Sequence, residues 1–83
     1  MINGVFAIKD KKSCFWKPFC QPNDLVARRE FDNMVNSSNE FMQQNYADMD
    51  LYKLGTYDDE TGVIESKVEF VCSGSDVKKV VNE

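Results

Sequence analysis

The sequence predicts an α+β domain in which a small antiparallel sheet, made of two β-hairpins, flanks one main helix. The first and last parts of the chain alternate apolar and polar residues with the period of a strand, whereas the middle repeats its apolar residues with the period of a helix. The 83 residues suffice for one small domain. The predicted order is strand–strand–helix–short helix–strand–strand, with the domain over residues 1–73 and a tail or short helical turn over residues 74–83.

The first predicted hairpin pairs Gly4–Lys9 with a second strand over Cys14–Phe19 through the tight turn Asp10–Ser13. Pro18 belongs at the edge or the end of the second strand, because a proline cannot donate a hydrogen bond to a ladder. Alternation along that strand sends its side chains to two sides, with Cys14 and Trp16 on one side and Phe15, Lys17 and Phe19 on the other.

The middle of the chain predicts two helices. Asn23 caps the first helix, and Asp24 lies in its first turn, near the positive end of the helix dipole. The apolar stripe of this helix recurs at i, i+4, i+7 and i+8 in Ala27, Phe31, Met34 and Val35, and Leu25 and Val26 add to it. Asn36–Asn39 ends the helix. Ser37 and Glu40 have the spacing of a capping box, which predicts the start of a short second helix.

The last part of the chain predicts a second hairpin. Its first strand begins at Met49, and the polar loop "DDETG" ends in Gly62, which we expect at positive φ. The second strand has the clearest alternation in the chain, with Glu65, Lys67 and Glu69 facing one way and Ile64, Val68, Phe70 and Cys72 facing the other. We therefore expect this strand to be half buried. The segment after Ser73 is expected to end in one helical turn, with Val77, Val80 and Val81 on one side.

The composition argues against catalysis, so we expect no enzymatic activity, no cofactor and no metal. The chain has no histidine, which is the usual general base, and its four glycines do not form the spaced group of a phosphate-binding loop. Cys14, Cys20 and Cys72 form neither a C-x-x-C motif nor a repeated pair. We interpret them as free thiols in a reducing cytoplasm; the alternative is a disulfide or a metal site.

Charge is unevenly distributed along this chain, whose formal net charge is -4. Residues 1–29 carry six basic and two acidic side chains, whereas residues 30–62 carry one basic and eight acidic side chains. Such polarity is typical of an anion-binding region joined to an acidic one, although charge also fluctuates by chance in a short chain. The N-terminus lacks the features of an export signal, and no stretch approaches the ~20 apolar residues that a bilayer requires. We expect a soluble protein without membrane association.

The stretch "KKSCFWKPFC", residues 11–20, interleaves basic and aromatic side chains. Proteins that hold single-stranded nucleic acid combine cations for the phosphates with aromatic faces for the bases. The candidate binding residues are Lys9, Lys11, Lys12, Phe15, Trp16, Lys17, Phe19, Arg28 and Arg29. These residues favour nucleic-acid binding and a protein-interaction surface equally, and each aromatic ring can instead fill the core. A half-exposed aromatic hairpin in so short a chain also predicts a homo-oligomer, a dimer or higher.

Two runs of the sequence, "FAIKDKKSCFWKPFCQPNDLVARREF" and "DLYKLGTYDDETGVI", resemble the small nonstructural protein of gokushoviruses, microviruses with circular single-stranded DNA genomes that infect bacteria. The matching positions of the first run are Phe6, Ile8, Asp10, Lys12, Cys14, Phe15, Pro18, Phe19, Asn23, Asp24, Ala27, Arg29 and Phe31. The second run matches the family's Leu-Tyr-x-Leu-Gly followed by an acidic turn with Thr-Gly. Cys14 stands where the family is expected to carry glycine, so we expect a different bend in this hairpin.

The resemblance, which spans roughly residues 4–72, implies a non-virion protein without catalytic activity. It implies an association with single-stranded DNA during genome replication or packaging, in the host bacterial cytoplasm, alongside viral or host replication or packaging proteins. Together with the basic and aromatic hairpin, it leads us to expect a single-stranded DNA-binding viral accessory protein. The alternative is a protein-interaction or assembly factor without direct DNA contact, in which the hairpin aromatics meet another protein.

Overall fold

In the computed structural model, which describes residues 1–79, four strands form a single antiparallel sheet. The strands are β1 (Ile2–Asp10), β2 (Phe19–Gln21), β3 (Met49–Asp58) and β4 (Ile64–Ser73), and their order in the sheet is β2-β1-β3-β4. The helices are α1 (Asp24–Val35), α2 (Glu40–Asn45) and α3 (Gly74–Val77), with a 3₁₀ turn at Tyr46–Asp48 before β3. The predicted α+β class and the predicted order of strands and helices are confirmed.

The core lies between α1 and one face of the sheet. The helix begins where the sequence predicts, because the Asn23 side-chain oxygen accepts a hydrogen bond from the Val26 backbone N–H at 2.9 Å. Ala27, Phe31 and Val35 of the predicted apolar stripe are buried and Val26 is half buried, but Met34 is 38% exposed. The prediction that Leu25 adds to the stripe is wrong, because this side chain is 79% exposed. The buried residues that pack together are Phe6, Ile8, Ala27, Phe31, Val35, Met42, Met49, Leu51, Cys72 and Val77. Their removal from water is the main stabilising term of the fold.

The opposite face of the sheet, called the open face below, carries none of the helices of residues 1–79. Ile8 pairs with Leu51, and both side chains lie in the core beneath the helices. The next pair, Ala7 with Tyr52, points to the other side, because successive residues of a strand alternate between the two faces. Strand register therefore decides which residues lie on this second face, where no helix of the described residues covers them.

The predicted second strand, Cys14–Phe19, is wrong in its extent. Phe15 makes an isolated bridge to Lys9, and the regular pairing of β2 begins only at Phe19, opposite Phe6. One extra residue lies between these two pairings, in a segment whose last residue before β2 is a proline without an N–H for the ladder. The extra residue reverses the alternation, so that Phe15 lies on the open face and Phe19 on the core face. The prediction that both rings share one side is wrong.

β4 is mostly exposed, so the prediction of a half-buried strand is also wrong. Ile64, Val68 and Phe70 are 68%, 59% and 55% exposed, whereas Cys72 is buried. The apolar side of the strand is the predicted one as far as Phe70, but it faces away from the helices. The pairing with β3 shifts by one residue after the Tyr52–Phe70 pair, and this bulge turns Cys72 toward the core.

α2 starts close to the predicted position but uses another cap. The Asn39 side-chain oxygen accepts a hydrogen bond from the Met42 backbone N–H at 3.0 Å. The predicted capping box at Ser37 is wrong, because the Ser37 hydroxyl donates to the Met34 carbonyl at 2.7 Å and belongs to the end of α1. An asparagine two residues downstream thus replaces the serine as the start signal.

A capping box is present at α3, the predicted helical turn that follows β4. The Ser73 hydroxyl accepts from the Asp76 backbone N–H at 3.1 Å, and the Asp76 carboxylate accepts from the Ser73 backbone N–H at 3.2 Å. Val77 packs into the core and is 9% exposed, so this turn is part of the packed structure. Val80 and Val81, which were expected beside Val77, lie outside the described residues.

Two glycines provide a test of the second hairpin. A Cβ on Gly55 would overlap the Glu65 carbonyl oxygen of the neighbouring strand, whereas a Cβ on Gly62 would meet nothing within 4 Å. Gly62 has a φ of 78°, as expected from the sequence.

We expect Gly55→Ala to lower the free energy of unfolding by about 3 kcal/mol or more through the backbone clash. Gly62→Ala should cost only about 1–2 kcal/mol, the strain of the left-handed conformation. Urea unfolding of both variants checks this, and equal losses would contradict the close approach of the strands.

Candidate nucleic-acid interface

Three aromatic rings from three segments of the chain form a row on the open face, called the aromatic platform below: Phe15, Tyr52 and Phe70. The ring centroids of Phe15 and Tyr52 are 5.3 Å apart at an interplanar angle of 80°, and those of Tyr52 and Phe70 are 5.6 Å apart at 78°. Edge-to-face contacts of this kind are favourable and hold the rings in defined positions. The platform is therefore a structured feature and not a chance exposure of single rings.

A cation lies directly above the platform. The Lys9 Nζ is 5.4 Å from the centroid of the Phe15 ring and 5.8 Å from that of the Tyr52 ring. Both distances are within the range in which an ammonium group is attracted by the face of an aromatic ring. No carboxylate of residues 1–79 lies within 4 Å of this ammonium group, so its charge is not neutralised by an ion pair in the described part of the chain.

The turn after β1 positions Phe15. The Asp10 carboxylate accepts a hydrogen bond from the Lys12 backbone N–H at 2.9 Å, and the Asp10 carbonyl accepts from the Ser13 N–H at 3.0 Å. The Asp10 N–H in turn donates to the Cys14 carbonyl at 3.0 Å. These bonds close the loop so that the next residue bridges to Lys9 on the open face. The Phe15 side chain remains 39% exposed there.

Phe70 and Tyr52 were not among the residues that the sequence singled out. The alternation of β4 placed Phe70 on the buried side, and Tyr52 was assigned to a strand without a functional role. The two residues are cross-strand partners at the centre and the edge of the sheet. An exposed aromatic residue directly opposite another aromatic residue on the neighbouring strand indicates such a platform. That pairing can be recognised only when the register of β3 against β4 is known.

Lys11 and Lys12 make ion pairs with acidic residues near the start of β3. The Lys11 Nζ is 3.6 Å from Asp50 Oδ1, and the Lys12 Nζ is 3.4 Å from Asp48 Oδ2. Asp50 is 5% exposed, and its Oδ1 has no hydrogen-bond partner within residues 1–79. The charge of Lys11 is thus partly used to balance a buried carboxylate.

The remaining basic candidates are exposed but lie in different places. Lys17 belongs to the segment between the Phe15 bridge and β2, close in sequence to the platform. Arg28 and Arg29 belong to α1, which packs on the core face of the sheet. No carboxylate of the described chain lies within 4 Å of these three cations. The two arginines are therefore separated from the platform by the thickness of the sheet.

Trp16 and Phe19 pack against the core, on the helix side of the sheet. The Trp16 backbone N–H donates to the Ile8 carbonyl at 2.7 Å, and its half-buried ring lies 6.0 Å from the ring of Phe41 in α2. The Phe19 ring is stacked at 6.1 Å on that of Phe6, a fully buried residue. Of the three aromatic candidates in the first hairpin, the structure brings only Phe15 to the open face.

The open face continues from the platform toward the other end of the sheet as a shallow apolar groove. On this face its lining residues are Val5, Pro18, Cys20, Tyr57 and Ile64, and Phe19, whose ring stacks on Phe6 on the core side, borders it at the edge of the sheet. Val5 pairs with Cys20, and Tyr57 pairs with Ile64, so strand register places these side chains on the same face as Tyr52. Aromatic and apolar side chains thus cover the open face over much of its length.

The acidic end of the sheet is distant from the platform. Ile2 pairs with Asp58, and Lys9 pairs with Asp50, so the two ends of β1 are about 20–25 Å apart at the usual strand rise of about 3.3 Å per residue. At the far end, the Met1 amine is 2.7 Å from the Asp59 carboxylate, and this hydrogen bond raises the pKa of the amine. The Glu60 backbone N–H donates to the Asp58 carboxylate at 2.9 Å, and this hydrogen bond lowers the pKa of Asp58.

The cysteines are free: Cys14 and Cys20 are exposed, and Cys72 is buried. Burial raises the pKa of the Cys72 thiol, so this residue is a neutral part of the core at ordinary pH.

The fold and the exposed platform define a small open-faced α+β domain. The chain matches the model of the family described as Phage ORF5 protein over residues 3–77, and it belongs to that family. It is therefore a phage protein. No curated protein and no solved structure matches the chain. Among residues 1–79, the helices lack the length and apolar character that crossing a membrane requires.

The ion pairs of Lys11 and Lys12 lead to different expectations for stability. We expect Lys11→Ala to lower the free energy of unfolding by about 1–3 kcal/mol, because it leaves the buried Asp50 carboxylate without its cation. Lys12→Ala should cost less than about 1 kcal/mol, because the Lys12–Asp48 pair is solvent-exposed. Adding Asp50→Asn to Lys11→Ala should recover part of the loss. Chemical denaturation measures all three variants, and equal effects of the two lysine variants would contradict the role of Asp50.

Trp16 and Phe15 provide a second matched pair. Trp16→Ala should lower the free energy of unfolding by about 2–3 kcal/mol, below the value for a fully buried ring because this one is half buried. Phe15→Ala should cost about 1 kcal/mol, mainly the lost edge-to-face contact with Tyr52. Thermal and urea unfolding compare the two. A Trp16→Ala protein as stable as the wild type would show that the ring does not support the fold.

Proposed function

We propose that this phage protein is a non-enzymatic binder of single-stranded DNA that supports genome replication or packaging in the host cytoplasm. The observation that carries the proposal is the aromatic platform of Phe15, Tyr52 and Phe70, with the Lys9 ammonium above two of its rings, on a sheet face that no helix of residues 1–79 covers. Flat rings beside a cation match the two parts of a nucleotide, its base and its phosphate.

The platform favours a single strand over a duplex. Bases in a duplex are already stacked on each other, and only an unpaired base can present its face to a protein ring. Phe15 and Phe70, at the two ends of the row, are 39% and 55% exposed, and thus accessible to such bases. Binding by stacking is tolerant of sequence, since every base has an aromatic face. We therefore expect little preference among oligonucleotides of mixed composition.

The cations around the platform support a short phosphate path. Lys9 and Lys17 have no acidic partner within 4 Å in the described chain, and Lys11 and Lys12 lie on the turn between them. The acidic residues of the far loop are about 20–25 Å away, at about 3.3 Å per strand residue. Nearer the platform, Asp50 and Asp48 are paired with Lys11 and Lys12, so Lys9 and Lys17 are the cations that a chain with a net charge of -4 would offer to a phosphate.

A second function, that of a protein-interaction or assembly factor, is favoured by one observation. Ile64 and Val68 lie on the same open face as the platform and are more than half exposed, and aliphatic side chains do not stack on bases. We treat this function as an outcome of the test below. An interaction factor would have no affinity for oligonucleotides, and its binding to another protein would depend on the residues of the open face.

The test is a titration of a fluorescently labelled single-stranded oligonucleotide, followed by anisotropy. Phe15→Ala and Phe70→Ala should each weaken binding by about 1–3 kcal/mol, the usual contribution of a stacked base. Phe41→Ala is the matched control, because this ring is also about half exposed, at 49%, but belongs to α2 on the other side of the sheet. Duplex DNA should bind more weakly than the single strand.

The salt dependence of the same titration tests the cations. If Lys9 contacts a phosphate, Lys9→Ala should reduce the slope of log K against log salt concentration by about 0.7. Trp16 emission should change little on binding, since its ring packs on the helix side. Wild-type protein without measurable affinity for the oligonucleotide would refute the proposal in favour of the interaction factor. Equal losses for Phe15→Ala and Phe41→Ala would show that the open face is not the site.

A further inference from the structure

The two edges of the sheet differ in length. β2, at one edge, has three residues and is followed at once by Pro22, whereas β4, at the other, runs for ten residues from Ile64 to Ser73. Beyond β4 there is no further strand within residues 1–79, so one side of its backbone has no partner in the sheet. Long edge strands with free N–H and C=O groups pair readily with another strand.

The side chains of β4 do not protect this edge in the usual way. A lysine in the middle of an edge strand disfavours pairing, because a second copy would bring a second lysine opposite or near it. Lys67, however, lies between Glu65 and Glu69, and all three are exposed on the helix side of the strand. The Lys67 Nζ is already 3.1 Å from the Glu69 carboxylate of its own chain.

The alternation glutamate–lysine–glutamate is complementary to itself in antiparallel pairing. A two-fold axis through Val68 places Lys67 opposite Glu69 of the second copy, and an axis through Ser66 places Lys67 opposite Glu65. In either register two Lys–Glu pairs form across the new interface, since directly opposed residues of antiparallel strands share one face. The open side of the interface is apolar, with Val68 opposite its own copy or opposite Ile64.

We propose that β4 pairs antiparallel with β4 of a second copy of this chain, so that the four-stranded sheets of the two copies join into one. The two-fold axis of such a pair is perpendicular to the sheet, and both open faces therefore lie on the same side of the dimer. The two aromatic platforms face one direction. This inference goes beyond the proposed function, because the dimer forms with or without DNA.

The test exchanges charges on the edge strand. Lys67→Glu gives one chain three glutamates at alternate positions of β4, and the double variant Glu65→Lys/Glu69→Lys gives another chain three lysines there. Each of these variants places like charges opposite each other in every antiparallel register and should be monomeric. An equimolar mixture of the two places glutamate opposite lysine in every register and should form a heterodimer. Analytical ultracentrifugation measures all three samples and the wild type in the absence of DNA.

Several outcomes would overturn the proposal: a monomeric wild type at high micromolar concentration, single variants that remain dimeric, or a mixture that does not associate. Lys79→Glu is the control for net charge, since this residue is exposed and lies outside the sheet. It should leave the wild-type dimer intact, and dissociation by this variant would also overturn the pairing. If a charge variant does not fold, Lys67→Gln should weaken the wild-type dimer several-fold, and an unchanged dissociation constant would count against the edge.

Discussion

The pairing of β1 with β3 is the contact on which the rest of the structure depends. It joins Ile2–Asp10 to Met49–Asp58 at the centre of the sheet, across the helical middle of the chain. Successive residue pairs along this ladder point to opposite faces of the sheet. Ile8 with Leu51 closes the core under the helices, and the next residue of β3, Tyr52, becomes the middle ring of the platform. A slip of one residue would exchange the core and the open face, so the register is held by the burial of the apolar side.

The sequence allowed the fold class, the order of elements, the cap of α1 and the glycine of the second hairpin to be predicted, because each follows from a local pattern. The platform could be predicted only in part. Phe15 and Lys9 were among the candidates, but Trp16 and Phe19 pack against the core, and Phe70 was expected to be buried. The differences at Phe19 and Phe70 each come from one residue inserted into a ladder, before β2 or after Phe70. Trp16 lies on the side opposite Phe15, as the alternation predicted, and that side is the core. Periodicity shows which residues share a side until such an insertion occurs, and it does not show the insertion itself.

The behaviour of the charged side chains also depends more on their local surroundings than on the whole chain. The net charge of -4 describes the whole chain, whereas the environment of an exposed group is set mainly by charges within about 10 Å at moderate salt. Lys11 illustrates the difference, because its charge lies beside the buried Asp50 carboxylate and contributes to folding as well as to the surface. The Lys9 ammonium has aromatic rings beneath it and makes no ion pair within 4 Å in residues 1–79, although Asp50 is its cross-strand partner. Two lysines that are two residues apart therefore have different roles.

The rings of the platform come from positions 15, 52 and 70, on three separate segments of the chain, so the platform exists only when these segments are brought together in the folded sheet. An unfolded or partly folded chain has no such surface. A ligand held there binds the native state alone and stabilises it by mass action, by about 2.7 kcal/mol at a hundredfold excess over its dissociation constant. For a domain of this size such a gain is a large fraction of the total stability. Resistance to host proteases would then rise with the supply of ligand, and the lifetime of the protein in the cell would follow the amount of ligand present.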